Sequence, residues 1–166
     1  YVGDVVKRKV SKVLRSRTTI QAGAEIFGDS SIDADAESIN LMIESLQSLG
    51  IKDLTLSLGH AGLVSIVLAQ FKDQGDLLIK DLESALSRKS VSDINSILTN
   101  EKDLENKNIL IALSKLYGGK EIINEAREEL SVLGEEVIQC LDYLDKLISS
   151  LELDAEVKLH LDLGEI

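Results

Sequence analysis

QAGAEIFG, residues 21–28, is the stretch from which the rest of the chain can be read. Taken as a strand of period two, residues 17–27 place Arg17, Thr19, Gln21, Gly23, Glu25 and Phe27 on one face and Ile20, Ala22, Ala24 and Ile26 on the other. The second face is a candidate core face. The first carries an amide and a carboxylate, Gln21 and Glu25, with only a glycine hydrogen between them. That pattern suits the floor of a pocket for a small polar cation such as an amino group. An amphipathic strand with one solvated face shows the same alternation, so period two alone leaves both readings open.

Working outward, residues 1–10 (YVGDVVKRKV) are rich in β-branched side chains and read as a strand. Residues 11–16 form a basic connection, so residues 17–27 return antiparallel in a long hairpin whose cationic tip either closes over a phosphate or stays solvated. Residues 28–31 are turn chemistry, after which Asp33 or Asp35 is expected to cap a helix carrying Ala36, Ile39, Ile43 and Leu46 and stopped by Gly50. Leu54, Leu56 and Leu58 then alternate as a strand, and Gly59 turns the chain into an apolar helix, HAGLVSIVLAQF. His60, at that junction, is either a ligand group or a side chain bonding the start of the helix.

Helical patterns follow at residues 76–88, 91–98, 105–117, 120–130 and 135–151, with Ser, Asn and Gly between them. Their Glu and Asp residues read as solvated faces. The last piece, EVKLHLDLGEI, alternates again, with Val157, Leu159, Leu161 and Leu163 inward and Lys158, His160 and Asp162 outward. The expected fold is α+β: a partial antiparallel sheet with flanking helices and an all-helical insertion. It divides into a core over residues 1–75, an insertion over 76–152 and a returning core strand over 153–166.

Composition narrows the function. The net charge is −11, yet the first seventeen residues hold Lys7, Arg8, Lys9, Lys12, Arg15 and Arg17 against Asp4 alone. One basic patch on an acidic chain suits a small anion better than a long polyanion. Aromatic residues make up 3% and Trp is absent, which argues against a platform that stacks bases, and no nucleic-acid partner is expected. Cys140 has no partner for an intrachain disulfide and reads as a core filler. No metal-ligand spacing, cofactor loop, secretory signal or membrane span is found, which points to the cytoplasm. A chain that opens at Tyr1 in what reads as mid-strand is expected to be a piece of a longer protein.

QAGAEIFG, DADAESINLMIESLQSLGI and LTLSLGHAGL together resemble the class II catalytic core of histidyl-tRNA synthetases and, more closely, their paralogue, the regulatory subunit of ATP phosphoribosyltransferase. The resemblance covers the whole chain and is most specific over residues 1–63. It implies that the hairpin is motif 2 and that a helical insertion precedes the strand leading to a histidine-specific Arg-Gly-x-x-Tyr-Tyr-Thr-Gly loop.

By resemblance, Gln21 and Glu25 fall where the family holds the α-amino group of histidine. Lys7 falls on the arginine that clamps an ATP phosphate, and Arg15 and Arg17 lie near basic positions of the loop as further anion contacts. Lysine keeps the charge but lacks the bidentate fork. The family's Arg-x-Glu is represented by Lys7, Arg8 and Lys9, so its acid is replaced by a base. The resemblance therefore implies no catalytic residue. It implies instead a regulatory subunit that assembles with the short catalytic subunit, self-associates and takes histidine as ligand. A divergent histidyl-tRNA synthetase is the alternative, and a free-standing helical interaction module accounts for residues 76–151 but not for the hairpin.

Overall fold

The structure, a computed structural model, describes residues 1–8, 16–99 and 104–165. Two strands, β1 (Val2–Val6) and β2 (Thr18–Ala22), pair antiparallel from Val2 opposite Ala22 to Val6 opposite Thr18. The hairpin is as expected, but β2 is shorter: residues 23–27 form no regular structure. Gly23 exchanges backbone hydrogen bonds with Tyr1, one position past the last residue of β2. A strand needs a partner for its amides, and period two cannot report whether one exists. The expected core face is also open. Ile20 is 78% exposed, and Ala22, Ala24 and Ile26 are exposed as well.

Helix α1 (Ile32–Ser48) is capped by Ser31, whose Oγ accepts the Ala34 N–H at 3.2 Å. Asp33 and Asp35 sit instead in its first turn, where their charges favour the positive end of the helix. Gly50 ends this segment at φ 80°, a left-handed conformation that suits glycine.

Strand β3 (Leu54–Leu58) leads into α2 (Ala61–Ala69). Four helical elements and a short strand follow: α3 (Asp76–Ser87), α4 (Val91–Ile97), α5 (Leu104–Leu113), β4 (Tyr117–Gly118) and α6 (Ile122–Leu130). Helix α7 (Glu135–Ser150) and strand β5 (Val157–Asp162) complete the fold. The sheet order is β3-β5-β4, with β5 parallel to β3 and antiparallel to β4. The α+β class holds, but the sheet is mixed and separate from the hairpin. The long helical excursion between β3 and β5 is the kind of crossover that a parallel pair requires.

One hydrophobic cluster runs from Leu63 and Val67 of α2 through Leu82, Ile94, Leu110 and Leu130 to Leu141 of α7 and Leu161 of β5. Each such side chain contributes about 1.5–3 kcal/mol when fully buried. A smaller cluster of Ile43, Leu56 and Val157 packs α1 on the sheet. Asp162, expected in solvent, is only 8% exposed, and Lys89, in the turn after α3, lays its ammonium on the carboxylate. No helix among the described residues is long and apolar enough to cross a membrane.

Candidate ligand-binding face of the hairpin

The ladder fixes which side chains share a face. Tyr1 stands opposite Gly23, Gly3 opposite Gln21, Val5 opposite Thr19, and the Lys7 N–H donates to the Arg17 carbonyl at 2.7 Å. Directly paired residues lie on one side of a sheet, so Lys7, Arg17, Thr19 and Gln21 occupy one face together with Tyr1. Arg17 Nε donates back to the Lys7 carbonyl at 3.2 Å and closes this end of the ladder. At the other end, Gln21 Nε2 donates to the Tyr1 hydroxyl at 2.8 Å.

Three of the five candidate site residues, Lys7, Arg17 and Gln21, are thus brought to one face. Glu25 lies past the end of β2 and is exposed, so this structure does not bring it into strand register with Gln21. Arg15 lies outside the described residues. Against the strand ends, Tyr1, Val2, Ala22, Gly23 and Ala24 form a cleft of about 710 Å³ with Ser38, Leu41, Met42, Ser45, Leu46 and Leu49 of α1.

Four titratable groups elsewhere in the fold have surroundings that bear on their chemistry. His60 Nδ1 accepts the Gly62 N–H at 3.1 Å, so this imidazole caps α2, and it stands edge-on to Tyr143 with centroids 5.7 Å apart. The Tyr143 hydroxyl donates to Asp35, and that bond, with burial and the Asp35 charge, pushes the phenol up to about 12. Burial, together with the charge of Glu136, raises the Cys140 thiol, which disfavours the thiolate a nucleophile would need. His160 lies 6.4 Å from the Tyr117 ring in a tilted arrangement. Among the described residues no group of three or more His, Cys, Asp or Glu could hold a metal ion.

Two features escaped the sequence. Tyr1 as the partner of Gln21 follows only from the hairpin register, which the alternation of one strand does not give. The Lys89–Asp162 pair joins residues 73 positions apart and has no local signal.

The family model described as histidyl-tRNA synthetase matches residues 1–166. The chain belongs to the histidyl-tRNA synthetase family. Among its curated relatives is the ATP phosphoribosyltransferase regulatory subunit of Thioalkalivibrio sulfidiphilus, 34% identical over all of this chain and 42% of the relative. The protein of that name from Thiobacillus denitrificans is 36% identical over all of this chain and 50% of the relative. A crystal structure from Bacillus halodurans, described as an ATP phosphoribosyltransferase regulatory subunit/histidyl-tRNA synthetase, superposes with a TM-score of 0.81 at 26% identity. The match covers all of this chain and 43% of that one. The chain therefore spans about half or less of the length of these relatives.

Proposed function

We propose that the protein carrying this chain is the regulatory subunit of ATP phosphoribosyltransferase, without catalytic activity of its own. It would work in the cytoplasm, assemble with itself and with the short catalytic subunit, activate that subunit, and contribute to histidine feedback on the first step of histidine biosynthesis. The observation that carries this reading is the basic run Lys7-Arg8-Lys9 at the position of the family's Arg-x-Glu, in a chain whose relatives bear the regulatory name. A lysine attracts phosphate as a point charge but does not orient it as a guanidinium fork does, and replacing the acid by a base removes a carboxylate from that site.

Histidine is the ligand in this reading. Gln21 and Glu25 accept hydrogen bonds from its α-ammonium. A charge-assisted bond of this kind is worth roughly 1.5–3 kcal/mol. Lys7, Arg15 and Arg17 supply contacts to an anion. The second reading is the catalytic domain of a histidyl-tRNA synthetase, favoured by the description of the family model.

The two differ in one measurable step. A synthetase exchanges pyrophosphate into ATP in the presence of histidine; the regulatory subunit does not. The full-length protein is expected to show no histidine-dependent exchange above a blank, and robust exchange would overturn the regulatory reading.

A further inference from the structure

We infer that Tyr1 is a positioning residue of the ligand site: its hydroxyl holds the Gln21 carboxamide in the one orientation that can receive an ammonium group. The inference rests on the reading of the hairpin face as the seat of the histidine amino group and adds a residue to it.

A primary amide has a donor end and an acceptor end, and the two are nearly isosteric. For an ammonium ligand only the carbonyl oxygen is useful, because the amide NH₂ would face another donor. Gln21 is exposed, so without an anchor its carboxamide turns freely between the two states. Here Nε2 donates to the Tyr1 hydroxyl at 2.8 Å, which engages the donor end and leaves Oε1 as the acceptor. Anchoring also lowers the rotamer entropy lost when the ligand binds.

A second observation, independent of that bond, places Tyr1 for this task. The Tyr1 backbone nitrogen donates to the Gly23 carbonyl at 2.7 Å and the Gly23 N–H to the Tyr1 carbonyl at 3.0 Å, so the two residues are directly opposed across the ladder. The ring lies over the glycine. A Cβ built on Gly23 would come within 2.8 Å of Tyr1 Cε1, Cζ and Oη, so a side chain there would displace the phenol. Gly23 and Gln21 share the face, and the missing side chain at position 23 is what lets the hydroxyl reach position 21. The glycine of QAGAE thus has a specific use: it seats the ring that orients the glutamine.

Histidine binding to the full-length protein tests this by calorimetry. Tyr1→Phe keeps the ring and removes only the acceptor, and it is expected to weaken histidine binding about three- to tenfold, the worth of one neutral hydrogen bond. In a Gln21→Ala background the same change should cost nothing further. A purely structural role for the hydroxyl would cost the same in both backgrounds. Gly23→Ala, which displaces the ring by a different route, should reproduce the loss. If Gln21→Ala weakens histidine binding while Tyr1→Phe does not, or if the two losses add, the role of Tyr1 is overturned and the ligand reading stands. If the wild-type protein binds no histidine, or if binding is indifferent to both Gln21→Ala and Glu25→Gln, the ligand reading falls and this inference falls with it.

Discussion

Lys89 gives the sharpest stability test because two opposing terms meet at one residue. It follows α3 at φ 52°, its N–H donating to the Leu86 carbonyl at 2.8 Å while the Ser90 N–H reaches the Ala85 carbonyl at 3.0 Å. This is the helix-ending position where glycine is usual, and a residue with a Cβ pays about 1 kcal/mol to sit there. Its side chain offsets that cost. The ammonium pairs with Asp162, the two side chains being 35% and 11% exposed, and lies 4.5 Å from the Tyr117 ring centroid. Breaking a buried pair costs 3–5 kcal/mol and an exposed pair about 0–1, so this half-shielded one should cost about 2 kcal/mol. Lys89→Ala, which loses the pair and keeps the strain, is expected to destabilise by about 2 kcal/mol, a urea midpoint lower by about 1 M at a typical slope. Lys89→Gly loses the pair but relieves the strain, for a net loss of about 1 kcal/mol. Adding Asp162→Asn to Lys89→Gly removes the stranded carboxylate and should recover part of that loss. Lys89→Gly as stable as the wild type would refute the assignment, because backbone strain would then outweigh the ion pair.

Two further expectations concern the junction of α1 with its neighbours. Ser31→Ala should cost about 1 kcal/mol in thermal or urea unfolding by removing the cap of α1, whereas Asp33→Ala should cost only a few tenths. Tyr143 carries a raised phenol, so its neutral form favours the folded state: the stabilisation is complete below the ordinary value of 10.0 and is lost as pH rises from there through about 12. Tyr143→Phe should remove this alkaline loss, and a tyrosinate absorbance titration showing every tyrosine ionising near its ordinary value would contradict the Asp35 bond.

The helical part of the fold was legible because its apolar periodicity is local in sequence. Leu82, Ala85 and Leu86 recur at helical spacing and are all buried, and the stripe of Val137, Leu141 and Leu144 lies on one face of α7. His60 was readable as a helix-start side chain, since a residue between a strand and an apolar helix has unpaired amides beside it. Ser31, Asp33 and Asp35 can all cap, and the choice depends on where the backbone leaves the extended conformation, which composition does not encode. Asp162 alternates like a solvent-facing residue, yet it is buried beside β4 and paired with a lysine from a distant turn. Tyr117 read as the end of a helix, but its chain bends to pair with β5. In the candidate site, the face of Gln21 was visible from period two, while the cross-strand register that brings Tyr1 to it was not, because alternation in one strand says nothing of its partner.

The placement of the site on the fold bears on how its chemistry can vary. None of the described hairpin residues belongs to either hydrophobic cluster; Val2, Val6 and Ile20 are more than half exposed, while Val5 is partly buried. Among the described residues, Lys7, Arg17 and Gln21 are exposed on the two-stranded ribbon. If the proposed correspondence holds, a phosphate-orienting arginine and its acid are exchanged for Lys7 and Lys9, while an amide and a carboxylate suited to an amino group are kept. On the regulatory reading, the two ends of one hairpin are then under different demands. The Gln21 end must recognise a small cation with a fixed geometry, which the Tyr1 hydroxyl and the bare Gly23 supply. The Lys7 end need only be positive, because an anion that is attracted but not aligned undergoes no reaction.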